Sequence, residues 1–248
     1  MTGSVRPIKR IVLVHGAAHG AWCWELLTPL LEAMGYQVQV LDLPGLGEDP
    51  TPPAKVTFAD YVASIVDVLH SRPEPALLLG HSMGGGPVSR AAEEAPETVA
   101  KLVYLAALMP KDGESAASMR FEEIPQSAAH AIRESTVAGA HEFDPAFAAD
   151  IFYHRSDPEV ARWAVSKLRP QADGPVAEVI RLSPARWGAI PKVYIRCTED
   201  RALPPQAQQW LCDRAPEVRQ RVMESDHAPF LSDAPGLAAI LDDEARSS

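Results

Sequence analysis

Cysteine is scarce in this chain: Cys23, Cys197 and Cys212 are the only three in 248 residues. So few and so scattered, they build neither a disulfide framework nor a CxxC metal site, and they predict reduced thiols in a cytoplasmic setting. Long apolar runs are also missing. Nothing approaches the ~18 residues of a membrane span. Behind the basic start MTGSVRPIKR the apolar run Ile11–Val14 stops at His15, short of the about 7–15 residues of a secretory signal. A soluble protein without a membrane partner is expected. Cations are in deficit, with 23 lysines and arginines against 33 acids and a net charge of −10. Nucleic acid is therefore not an expected partner, because phosphate-backbone binding depends on clustered cations. Proline and glycine, 23 and 15 residues, fall short of the roughly 25–30% that marks low-complexity chains. There is no internal repeat or coiled-coil heptad.

What the chain does contain is an alternation. Short β-branched and leucine-rich runs occur at 11–14, 36–43, 76–80, 101–108, 192–197 and 219–223. Between them, segments such as 22–35 and 58–71 place apolar residues at three- and four-residue steps, the period of a helix buried on one face. Six short strands with helical crossovers predict an α/β architecture, a mostly parallel six-stranded sheet covered on both faces. From Pro110 to about Trp187 the strand signal stops and helical spacing takes over, notably at 122–135 and 143–155. Asp144-Pro145 and Asp157-Pro158 read there as helix caps followed by first-turn prolines. We expect a core of residues 1–109 and 188–248, interrupted by an inserted helical cap over 110–187.

Directly after the run at 76–79 stands Gly80-His81-Ser82-Met83-Gly84, followed by Gly85, Gly86 and a helical pattern. In this strand-to-helix setting a G-x-S-x-G turn exposes the serine Oγ on a strained backbone, and its glycines avoid Cβ clashes with neighbouring elements. Ser82 is the candidate nucleophile. A serine hydroxyl needs a histidine base and an acid that holds that base in the right tautomer. The chain order that goes with this turn is Ser, acid, His. Of His130, His141, His154 and His227, only His227 follows a predicted core strand, so it is the candidate base. Asp200, at the end of the 192–197 strand, is the preferred acid over its rival Glu199. Asp226 points away from its neighbour His227. Two N–H donors must meet the oxyanion, one after the nucleophile and one after the first strand. Those positions are Met83 and Ala17, with Gly16 expected to let the backbone turn. His15 and His19 stand four apart but in a glycine-broken loop without an HExxH pattern. They are read as packing or loop-anchoring residues, with no metal and no cofactor expected.

The segments LVHGAAHGAWCW (13–24), LDLPGLG (41–47), GHSMGG (80–85), YLAALMP (104–110), YIRCTEDRALP (194–204) and ESDHAP (224–229) resemble the plant methylesterase and hydroxynitrile lyase branch of the α/β-hydrolases. That branch includes the salicylate-binding esterases and bacterial relatives. The resemblance implies the α/β-hydrolase fold without extra leading strands, Ser82, Asp200 and His227 as a triad, and Ala17 with Met83 as the oxyanion hole. It leaves room for a homodimer. It also divides into two chemistries. The lyases carry threonine after the first-strand histidine and lysine after the catalytic histidine, where this chain has Gly16 and Ala228. Hydrolysis of a small apolar or aromatic ester through an acyl-enzyme is therefore the expectation. A lyase on the same triad, or a ligand receptor with little turnover, is the alternative. Trp22, Met109, Phe121, Phe147, Phe152 and Trp163 are the apolar candidates for holding the substrate.

Overall fold

Along the first strand, β1 (Arg10–Val14), every residue is buried and successive side chains enter different layers. Val12 and Val14 pack in one core with Tyr61, Ile65, Val88 and Leu211, whereas Ile11 and Leu13 pack in a second with Leu31, Leu237 and Leu241. A strand that is apolar on both faces needs cover on both. The computed structural model describes residues 8–119 and 128–247. After β1 come α1 (Thr28–Ala33), β2 (Gln37–Val40), α2 (Phe58–His70), β3 (Ala76–His81), α3 (Gly85–Glu94) and β4 (Val99–Leu105). Then follow β5 (Ile132–Glu134), β6 (Ala140–Phe143), α4 (Pro145–Phe152), α5 (Pro158–Lys167), β7 (Gln171–Ala172) and α6 (Gly174–Ala177). The chain ends with β8 (Lys192–Cys197), α7 (Pro205–Asp213), β9 (Arg219–Met223), α8 (Pro229–Ser232) and α9 (Ala234–Arg246).

The main sheet has the order β2-β1-β3-β4-β8-β9 and every pairing in it is parallel. Helices α1 and α9 contribute to one core layer, and α2, α3 and α7 to the other. Winding reverses between β1 and β3, which opens a crevice beyond their carboxyl ends where ligands of such sheets bind. Local interactions fix the crossovers. Thr57 and Asp60 form a reciprocal cap at the start of α2, and the buried guanidinium of Arg10 donates to the Val68 and Leu69 carbonyls at its end. No described helix is long and apolar enough to cross a membrane.

Three expectations change. The helix over 22–35 is broken into a 3₁₀ turn at Ala21–Trp24 and α1, because Pro29 has no N–H to donate to the carbonyl four residues back and is accommodated only in the first turn of a new helix. The strand over 36–43 is confined to Gln37–Val40, and the one over 101–108 runs from Val99 to Leu105. The third lies in 110–187, which is only partly helical. Asp144 and Asp157 do cap α4 and α5, accepting from Ala146 N and Glu159 N. However, β5, β6 and β7 form a small antiparallel sheet. Arg133 lies opposite Glu142 and pairs with it at 2.8 Å, a cross-strand ion pair of the kind that stabilises short strands. Part of the helix expected over 122–135 lies outside the described residues, and the rest is one 3₁₀ turn followed by β5.

Candidate active site

Strand β3 ends at His81, and the next residue, Ser82, has φ of 53°, a left-handed conformation costly for a residue with a Cβ. Crowding accounts for the glycines around it. A Cβ on Gly80 would lie 2.5 Å from Val88 Cγ2, one on Gly84 2.5 Å from the His15 carbonyl oxygen, and one on Gly85 1.9 Å from that of Leu108. The turn therefore sits flat against the β1 loop on one side and the chain after β4 on the other. Gly16 is needed for the same reason rather than for its turn: its Cβ would stand 2.8 Å from Ser82 Cβ. The left-handed residue in that loop is Ala18, with φ of 61°. Its N–H donates to Gln171 Oε1 at 3.1 Å. The Ala17 amide donates to no acceptor among the described residues.

From β8 and β9 come the acid and the base. His227 Nδ1 lies 2.7 Å from Asp200 Oδ2, and both side chains are almost fully buried. Asp200 accepts four hydrogen bonds: Oδ1 from Ala202 N (2.7 Å) and Leu203 N (2.8 Å), Oδ2 from Gln208 Nε2 (3.0 Å) and His227. A carboxylate surrounded by donors is held in one orientation. It must then receive the Nδ1 hydrogen of the imidazole, which leaves Nε2 as the proton acceptor. The rival Glu199 is instead ion-paired with Arg155, and both side chains are more than a third exposed. Asp226 is turned away from the ring, accepting from Ala228 N and Ser232 Oγ through Oδ1 and from Arg155 N through Oδ2.

Gln208, on α7, was not singled out in the sequence. Its amide donates to Asp200, Leu203 O and Cys197 O, and its Oε1 accepts from Cys197 N. It locks the acid loop to the end of β8. The signal was a lone polar residue on the buried face of a helix, and it becomes readable only once the helix face is known.

Three further histidines are buried in this part of the fold, and burial keeps them neutral. His15 is pushed down to about 4 and His19 to about 3, while His81 falls well below its usual value, each chiefly by desolvation. Their ring nitrogens are tied into the fold. His15 Nδ1 donates to Gly16 O while Nε2 accepts from Leu43 N; His19 Nδ1 donates to Ala17 O while Nε2 accepts from Tyr153 OH. His81 Nε2 donates to His227 O at 2.9 Å. His15 and His19 thus anchor the β1 loop as expected, and no group of three or more metal-ligating side chains occurs among the described residues.

Residues 11–240 match the Alpha/beta hydrolase family. The chain belongs to that family. Among its relatives is methylesterase 7 of Arabidopsis thaliana, 33% identical over 94% of this chain and 95% of the other. A pyrethroid hydrolase from Sphingobium faniae JZ-2 superposes with a TM-score of 0.88 at 26% identity, covering 97% of this chain and 98% of its own. Polyneuridine aldehyde esterase gives 0.86 at 28% identity, covering 96% and 99%. In this hydrolase Ser82, His227, Ala17 and Met83 line one cavity of about 690 Å³. Of the apolar candidates among the described residues, only Phe152 reaches it. Trp22 and Trp163 pack edge-on against each other, Met109 borders a separate cavity, Phe147 is exposed, and Phe121 lies outside the described residues. The wall is completed by residues the sequence did not mark, among them Leu108, Met119, Phe143 and Val176.

Proposed function

We propose that this ester-cleaving hydrolase uses Ser82 as its nucleophile, His227 as general base and acid, and Asp200 to orient the imidazole. The observation that carries the reading is the Asp200–His227 contact of 2.7 Å opening on the same cavity as Ser82. Ser82 Oγ attacks the ester carbonyl as its proton passes to His227 Nε2. The oxyanion is met by the amides of Ala17 and Met83, the latter in the first turn of a helix, where N–H groups lack intrahelical partners. His227 then returns the proton to the departing alcohol, leaving an acyl-Ser82 that water hydrolyses by the same route.

The substrate we infer is a small apolar or aromatic carboxylic ester. Most of the cavity wall is aliphatic or aromatic, and the methylesterase and pyrethroid hydrolase relatives agree with that class. Segment 110–187 serves as a lid, since Phe143, Phe152, Gln171 and Val176 roof the cavity. We place the protein in the cytoplasm, which its three buried free thiols support. Cyanohydrin cleavage is disfavoured. It needs compensation for departing cyanide, yet no lysine or arginine lines the cavity among the described residues, and Ala228 is fully buried. The test pairs the wild type with Ser82→Ala on p-nitrophenyl acetate and on mandelonitrile. We expect ester turnover to fall by several orders of magnitude in the folded variant and no cyanide release from either protein. Wild-type ester turnover by Ser82→Ala, or vigorous cyanide release, would overturn the reading.

A further inference from the structure

The same cavity carries a polar handle besides the reacting pair. Five polar side chains line it among the described residues: His19, Ser82, His141, Gln171 and His227. Ser82 and His227 are the reacting pair, so this inference rests on the function proposed above. His19 has both ring nitrogens occupied, by Ala17 O and Tyr153 OH. Gln171 is also committed, with Oε1 accepting from Ala18 N and Nε2 donating to Tyr61 OH and Ala172 O. His141, on β6 in the middle of the small sheet, differs. Its Nδ1 lies 2.7 Å from Asp173 Oδ1, while Nε2 has no hydrogen-bond partner among the described residues.

The chemistry of that pair fixes what Nε2 offers. A carboxylate only accepts, so Asp173 takes the hydrogen on Nδ1, and in the neutral ring Nε2 is left as an acceptor. Around it the wall is apolar: Ile132, Phe143 and Val176 belong to the same segment. An acceptor set among apolar side chains selects for a ligand that brings one donor to that spot on an otherwise apolar body. We propose that His141 is a specificity-determining residue whose Nε2 accepts a hydrogen bond from a hydroxyl carried by the ester's acyl or alcohol group, remote from the scissile carbonyl.

The experiment uses methyl arylalkanoates of increasing chain length, each with and without a terminal phenolic hydroxyl. They are turned over by the wild type, His141→Phe and His141→Gln, with thermal midpoints recorded alongside. At one length or more, the wild type should favour the hydroxylated ester by about tenfold in kcat/KM, the worth of one good hydrogen bond. His141→Phe should erase that preference, bringing the hydroxylated and unhydroxylated esters to equal kcat/KM at an unchanged thermal midpoint. His141→Gln, whose amide oxygen still accepts, should keep part of it. The assignment is overturned if no length shows a preference, if the preference survives in His141→Phe, or if both esters slow equally with a lowered midpoint. A wild type that turned over none of these esters would fail at the first step. That result would remove the proposed hydrolysis and this assignment with it, whereas turnover without preference would remove only the latter.

Discussion

Two polar groups of the cavity wall are held in different ways. At the strand ends Asp200 is buried under four donors, and the loop that carries it is tied to α7 through Gln208. At the roof, His141 is oriented by one contact to Asp173, whose side chain is more than half exposed. The first arrangement fixes an atom for chemistry. The second leaves a polar group able to adjust to what enters. On the proposed reading, reaction and selection fall on two parts of the wall that are held to different degrees.

The sharpest way to break that contrast is at its rigid end. From sequence alone, Asp200→Asn would keep the shape and alter only the tautomer. The structure makes the change harsher, because every partner of both carboxylate oxygens is a donor. With its NH2 at the Oδ1 position the amide faces the Ala202 and Leu203 N–H groups; at the Oδ2 position it faces the Gln208 amide and finds an acceptor in His227 Nδ1 only in the wrong tautomer. We expect kcat to drop on the order of 10⁴, as in a serine protease, with a loss of stability of about 1–3 kcal/mol. Glu199→Gln should leave ester turnover within about twofold, since it breaks only an exposed ion pair. Steady-state kinetics on p-nitrophenyl acetate and urea unfolding check both. Equal losses in the two variants would mean that the acid has been misassigned.

A second expectation concerns the neutral histidines around the rigid end. Unfolded, each titrates near 6.5; folded, His15 and His19 are held down to about 4 and about 3, and His81 is also lowered. Below 6.5 the unfolded chain therefore binds protons that the folded chain does not, so stability falls as pH falls. It levels off for each group once pH passes its folded value. Each group contributes about 1 kcal/mol per pH unit within that window. Urea midpoints measured at pH 7 and pH 5 should drop clearly, and an unchanged midpoint would show that these rings accept protons without cost.

Much of the rigid end was legible in the sequence. Strand β3, the glycine-lined turn at Ser82 and the chain order to Asp200 and His227 are local patterns whose chemistry dictates residue types at fixed spacing. The sheet was legible too, since six apolar runs separated by helical crossovers leave few ways to pair. The roof was not. Strand β5 is three residues long and exposed, too short to show a period, and its pairing with β6 carries the cross-strand Arg133–Glu142 contact rather than a buried apolar face. Gln208 was missed because a lone polar residue acquires meaning only from what surrounds it in space. Gly16 was noticed for the wrong reason. The need for space beside Ser82 is a tertiary fact, whereas flexibility is the property one reads from the letter.

The left-handed backbone at Ser82 carries a cost of its own. With a Cβ at φ of 53°, the residue makes the folded chain less stable than it would be with glycine there, by about 1 kcal/mol. Ser82→Gly should accordingly raise the urea midpoint by a small amount while abolishing turnover, and a lowered midpoint would show that serine sits there without strain. Stability and activity pull in opposite directions at this position. On the proposed reading, the strained backbone is the cost of presenting the nucleophile above the sheet.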